Sequence, residues 1–135
     1  MINKISIAIV DDDADDREII KDAFAVSGKS AECILLENGD ALIDFLTSSP
    51  ASGLPSLIML DLNMPGKDGR EALKDIKSNN QLQTIPIIVF TTSSSSKDKQ
   101  VVYELGANCF ITKPDTFNKL VDLTQSIIKL WLPEA

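Results

Sequence analysis

The sequence contains no histidine. That removes the commonest general base and the commonest metal ligand among side chains. It also means that any phosphoryl group arriving from a histidine must come from another protein. Cysteine is nearly as scarce. Cys33 and Cys109 lie far apart, in no CxxC pattern, each in an apolar stretch, and read as small buried hydrophobes. No apolar run approaches the roughly 20 residues that a membrane span requires. The N-terminal MINKISIAIV is a poor export signal, because its apolar stretch is short and ends in acids without a small-residue cleavage site. The expectation is a cytoplasmic protein with no membrane partner. Basic residues are outnumbered, 13 Lys and Arg against 20 Asp and Glu, and are scattered. A net charge of −7 without a basic face argues against direct nucleic-acid binding.

What is present fits a globular chain. At 135 residues and 44% hydrophobic content it can bury a core of its own. Short β-branched runs alternate with longer amphipathic segments. Strands are expected at 5–10, 33–36, 57–60, 85–90 and 109–112, and helices at 17–26, 41–46, 70–78, 97–107 and 116–132. Ser27-Gly28 stops the first helix, Asp68 and Glu71 fit a capping box for the third, and Gly106 fits a C-cap for the fourth. SSPASGLPS (48–56) reads as a surface loop, and the serines at 93–96 as a linker and cap. Five βα units predict an α/β fold, a parallel sheet with helices on both faces. The strands are continuous apolar runs, as expected for strands covered on both sides. No domain boundary is visible, so one domain over 1–135 without an output domain is the expectation.

In open α/β sheets, sites form beyond the carboxyl ends of the strands. There the sequence places Asp11-Asp12-Asp13, Asp61, Thr91-Thr92 and Lys113-Pro114. Carboxylates, a hydroxyl and one ammonium suit a divalent cation together with a phosphoryl group. Two like charges about 4 Å apart repel by roughly 4 kcal/mol at an effective dielectric near 20. The acids therefore need a cation or protons. Mg²⁺ prefers oxygen ligands and needs only one or two carboxylates, whereas zinc favours thiolate and imidazole, which the cluster lacks. Asp61, on a turn with Pro65 and Gly66, can act as a nucleophile and form an acyl phosphate. Lys113 would add a point charge on the phosphoryl oxygens, and Thr91 a hydroxyl hydrogen bond.

Taken together, IVDDD, LDLNMPGKDG, VFTT and TKP resemble the receiver domain of two-component response regulators, over about residues 4–132. The resemblance implies a flavodoxin-like, doubly wound (βα)5 fold with strand order 2-1-3-4-5. It implies that Asp61 is the phospho-acceptor and that Asp12, with Asp11 through water, holds Mg²⁺. The backbone carbonyl of Asn63 would complete the metal shell beside Asp61. Thr91 would be the switch hydroxyl, Lys113 the phosphoryl partner and Phe110 the switch aromatic. A cis Lys113–Pro114 bond is also implied. Thr92 stands where the family often has Ala or Gly, which would narrow access and slow phosphoryl exchange. The long 48–56 loop and the KLWLPE ending are similar to small regulators paired with bacterial phytochromes. The implied donor is a sensor histidine kinase or a histidine phosphotransfer protein. Output would be by protein contact, with a homodimer as one form. The domain would assist its own phosphorylation and dephosphorylation without being a turnover enzyme.

Competing readings are weaker. Asp11, Asp13 and Asp15 form D-x-D-x-D, but an EF-hand loop needs Gly where Asp16 stands and Glu where Asp22 stands. Asp13, Asp15 and Asp16 read instead as cap and first-turn acids of the first helix. An aspartate-nucleophile phosphatase would need Thr or Val after the acids, and a flavin binder would not place acids at a phosphate loop. Trp131 reads as packing. If the strand order is receiver-like, the cysteines sit on opposite edges, roughly 19 Å apart at about 4.8 Å per strand. A disulfide needs Cα atoms within about 7 Å, so none is expected within the chain.

Overall fold

The run LIML at 57–60 is buried along its whole length, so its side chains must be covered from two sides. In the computed structural model, which describes residues 5–27 and 31–132, this run is the middle strand of a five-stranded parallel sheet. The elements alternate as the composition requires. They are β1 (Ser6–Val10), α1 (Ala14–Val26), β2 (Glu32–Leu36), α2 (Gly39–Ser48), a 3-10 turn (Ala51–Gly53), β3 (Leu57–Leu60), α3 (Gly69–Lys77), β4 (Ile87–Thr91), α4 (Ser96–Glu104), β5 (Cys109–Thr112) and α5 (Phe117–Trp131). The strand order is β2-β1-β3-β4-β5, a doubly wound flavodoxin-like arrangement.

Strand alternation divides the core into two layers. Ala8, Val10, Ile58, Leu60, Ile87 and Val89 point to one face and meet Leu42, Leu46, Leu73 and Ile76 of α2 and α3. Ile7, Ile9, Leu57, Met59, Ile88 and Phe90 point to the other and meet Ile20 and Phe24 of α1 and Leu120, Ile127 and Ile128 of α5. Trp131 packs at the edge of this second layer. Cys33 and Cys109 are free thiols on the opposite edge strands.

Several boundaries differ from the periodicity for local reasons. Helix α1 begins at Ala14, three residues before its apolar pattern, because the Asp13 carboxylate accepts the amides of Asp15 and Asp16 as an N-cap. Gly28, expected to stop that helix, lies outside the described residues, as do Lys4, Pro133 and Glu134. Strand β4 starts at Ile87 rather than at residue 85, since the Ile85 amide is engaged by the Leu82 carbonyl and Pro86 has no amide to donate. Helix α4 ends at Glu104. Gly106 has φ +106° and donates to Tyr103, while Ala107 donates to Val102, the paired bonds of a Schellman stop. Asp68 caps α3 as expected, accepting from Arg70 and Glu71.

Candidate functional site

The parallel ladders run one residue beyond three of the strands. The amide of Asp11 donates to Leu36 at 3.1 Å, that of Asp61 to Val10 at 3.0 Å, and that of Lys113 to Thr91 at 2.7 Å. Val10 lies beside Leu60 in register, so Asp11 and Asp61 follow side by side on adjacent strands. Asp11 continues the alternation of Ile7 and Ile9, Asp61 that of Leu57 and Met59, and Lys113 that of Cys109 and Ile111. All three therefore leave the sheet towards the α1–α5 side.

The expected carboxylates come together. Carboxylate oxygens of Asp11, Asp12 and Asp61 all lie within 4.8 Å of one another. Asp11 is 2% exposed and Asp61 7%, while Asp12 is exposed. Lys113 reaches into the cluster, its Nζ 2.6 Å from Asp11 Oδ2 and 3.7 Å from Asp61 Oδ2. The other oxygen of Asp11 accepts the Asp13 amide at 2.9 Å.

Two contacts here were not foreseen. Asp16, read as a first-turn acid, also holds Lys113 Nζ at 3.1 Å. Arg17 Nη1 donates to the Asp11 carbonyl at 2.6 Å. Both follow from α1 starting directly after the acids, which brings its first turn back over the strand ends. The EF-hand alternative fails on the same facts, since a strand precedes the acids and Asp13 is spent on the cap.

Three carboxylates thus meet one ammonium, with a fourth, Asp12, beside Asp11 and Asp61. Burial pushes the Asp11 carboxyl up, and its hydrogen bonds to Lys113 and the Asp13 amide reduce that rise without cancelling it. Burial alone would lower Lys113, but its hydrogen bond to Asp11 and the charges of Asp61 and Asp11 outweigh burial and raise it. The rise at Asp11 thus reflects its burial, and the rise at Lys113 the carboxylates around it. An all-oxygen donor set with surplus charge fits a hard divalent cation and does not suit zinc.

The turn after β3 explains the spacing of LDLNMPGKDG. Gly66 has φ +75°, in the left-handed region. Gly69 donates to Leu62 at 3.0 Å. A Cβ there would lie 2.2 Å from the Asp61 carbonyl oxygen and 2.8 Å from Leu62 Cα, so α3 packs onto the backbone of Asp61 only because residue 69 lacks a side chain. Asn63 is exposed on this turn, two residues past Asp61.

Thr91 and Phe110 are placed differently from the cluster. Thr91 is the last residue of β4, fully buried, and alternates with Val89 towards the α2–α3 face. Phe110, paired with Val89, is half-buried on the same face, and its amide donates to the Tyr103 hydroxyl at 3.1 Å. Thr92 is exposed. The cis Lys113–Pro114 bond does not occur, because the described residues contain no cis peptide bond. Trans is the lower-energy form by about 0.5–1 kcal/mol, and Lys113 reaches Asp11 from it. Beside Lys113 and Asp16 opens a groove of about 380 Å³, walled by Ile19, Ile20, Phe90, Pro114, Phe117 and Leu120. Ile19 and Phe117 on its walls are more than two-fifths exposed. No helix among the described residues is long and apolar enough to cross a membrane.

Comparison with known proteins agrees with this geometry. Residues 7–125 match the response regulator receiver domain. The chain is 39% identical to the response regulator Rcp1 of Synechocystis sp. over 129 residues, covering 93% of this chain and 88% of Rcp1. The crystal structure of the phosphorylated cyanobacterial phytochrome response regulator RcpA matches with a TM-score of 0.88 at 35% identity, over 98% of this chain and 96% of RcpA. The Mn²⁺-bound form of Rcp1 matches with a TM-score of 0.85 at 36% identity, over 97% and 96% of the two chains.

Proposed function

The chain belongs to the response regulator receiver family of two-component signalling, and on that premise we propose that Asp61 is its phospho-acceptor. A carboxylate oxygen of Asp61 attacks the phosphorus of a phosphohistidine on a donor protein. The O–P bond forms as the P–N bond breaks, and the imidazole nitrogen leaves with the electron pair. The donor must carry the histidine, because this chain has none. The position of Asp61 carries the proposal. It is nearly buried, at the carboxyl edge of the sheet, between two further carboxylates and an ammonium 3.7 Å away.

Asp11, Asp12 and Asp61 would hold Mg²⁺, with the Asn63 carbonyl as a further ligand. When bound, the cation neutralises charge on the transferring phosphoryl oxygens. The chain's own groups do the rest. Asp11 fixes Lys113, which then pairs with the phosphoryl group. Thr91 gives a hydroxyl hydrogen bond, and Phe110 follows it as the switch aromatic. Exposed Ile19 and Phe117 beside Lys113 give a donor protein apolar surface next to the acceptor. The chain works as a single receiver unit in the cytoplasm, signals through protein contact and does not turn over a metabolite. Near-complete coverage of Rcp1 and RcpA supports the single unit.

The test is intact mass after incubation with Mg²⁺ and acetyl phosphate. One phosphoryl adduct is expected in the wild type, and none in Asp61→Asn or in the presence of EDTA. An adduct that survives in Asp61→Asn would place the acceptor elsewhere.

A further inference from the structure

The serines after β4, which look like a soluble linker, are tied down. The Ser93 amide donates to Thr91 Oγ1 at 3.4 Å. The Ser93 hydroxyl donates to Asp98 Oδ2 at 2.7 Å and accepts the Ser95 amide at 3.1 Å. The Ser93 carbonyl accepts from Thr112 Oγ1, at the end of β5, at 2.9 Å. Asp98, in the first turn of α4, is held in turn by Arg70 Nη2 at 2.8 Å. Arg70 also lies 3.8 Å from Asp68. It follows Gly69 at the start of α3, where that helix packs on the Asp61 carbonyl. A continuous chain of contacts therefore runs Arg70–Asp98–Ser93–Thr91.

We infer that Arg70 is a positioning residue which, through Asp98 and Ser93, latches Thr91 in its resting place and so opposes phosphorylation of Asp61. This rests on Asp61 being the acceptor. Thr91 is wholly buried, alternates towards the α2–α3 face and holds the Ser93 amide on its hydroxyl, so turning that hydroxyl to a phosphoryl group on Asp61 gives up the contact with Ser93. Three elements grip Ser93, and the Asp98 carboxylate is the strongest of these holds, since it accepts from both a guanidinium and a hydroxyl. A contact made in the resting state and lost in the phosphorylated one biases the equilibrium against phosphorylation by its own strength. For a partly exposed pair, that bias is about two- to five-fold.

Time courses of intact mass with Mg²⁺ and acetyl phosphate test the latch. Arg70→Ala and Asp98→Asn are each expected to gain the adduct about two- to five-fold faster than wild type. The double variant should be no faster than the quicker single one, because both cut the same link. Thr112→Val, which frees the Ser93 carbonyl outside the ion pair, should act in the same direction and covers the case of an ill-folded charge variant. Amide hydrogen exchange at Ser93 should rise in these variants while exchange in β1 and β3 stays unchanged, which general destabilisation would not produce. Unchanged or slower rates in the variants, with wild-type Asp61 still labelled, would overturn the latch and leave the acceptor in place. Absence of an adduct in the wild type would remove both.

Discussion

Replacing Lys113 with methionine keeps most of the side chain's length and deletes the one ammonium in the acidic cluster. The structure sets the size of the effect. Lys113 Nζ lies 2.6, 3.1 and 3.7 Å from carboxylate oxygens of Asp11, Asp16 and Asp61. At an effective dielectric near 20 each pair is attractive by roughly 4–6 kcal/mol before desolvation is counted. Desolvation of a side chain only 13% exposed offsets much of this. Removing one partner of a buried pair still destabilises by about 3–5 kcal/mol, because the remaining charge is left uncompensated. Asp16 is 39% exposed and contributes less, so the expected loss is about 2–3 kcal/mol in EDTA. For a chain of this length that lowers Tm by on the order of 10 °C. The distinguishing feature is the response to metal. A cation bound by the same carboxylates replaces the missing charge, so millimolar Mg²⁺ should stabilise Lys113→Met more than wild type and narrow the gap to about half. Urea unfolding with EDTA or with Mg²⁺ measures both quantities. A loss below about 1 kcal/mol in EDTA, or a gap indifferent to Mg²⁺, would refute the electrostatic account of the cluster.

Three further outcomes are expected. Hydrogen bonds from Ser93, then Arg70, hold the Asp98 carboxyl below the usual range. A depressed carboxyl adds stability that is present above its unfolded value near 4 and lost as pH falls through the folded value. The stability gap between wild type and Asp98→Asn should therefore shrink as the pH falls below about 4, and a gap that stays constant through acid urea titrations would contradict the assignment. Gly69→Ala should cost about 2–3 kcal/mol in chemical unfolding, since a Cβ 2.2 Å from the Asp61 carbonyl must displace backbone; a neutral substitution would show that α3 does not pack there. Ile19→Ala and Phe117→Ala should slow phosphoryl transfer from a phosphorylated donor protein by several-fold and leave labelling by acetyl phosphate unchanged. Equal slowing with both donors would mean that these side chains shape the site and not the docking surface.

The sheet was legible because its signal is local. A strand covered on both sides must be apolar throughout, as ISIAIV, LIML and IPIIVF nearly are, and the shorter CFIT run forms the half-buried edge strand. Asp11, Asp61 and Lys113 could be assigned to one edge because each directly follows such a run. Asp16 could not, because its contact with Lys113 spans 97 residues and depends on α1 beginning at Ala14. Even with Asp13 read as the cap, Asp16 reads only as a first-turn acid, because nothing local shows that this turn folds back over the end of β5. Ser93 was hidden for a similar reason. A serine run carries no periodicity, and only the approach of Arg70, Asp98 and Thr112 turns it into a junction. The trans Lys113–Pro114 bond corrects an expectation that came from resemblance and not from the residues themselves.

Reductive trapping tests the central claim most directly. Protein labelled with acetyl phosphate in Mg²⁺ is treated with borohydride, which reduces an aspartyl phosphate to homoserine, and the altered residue is located by peptide mass spectrometry. Homoserine at position 61 alone is the predicted result. Homoserine at 11, 12 or 16, or at no position in protein that carries the phosphoryl mass, would contradict the assignment of Asp61 as the acceptor.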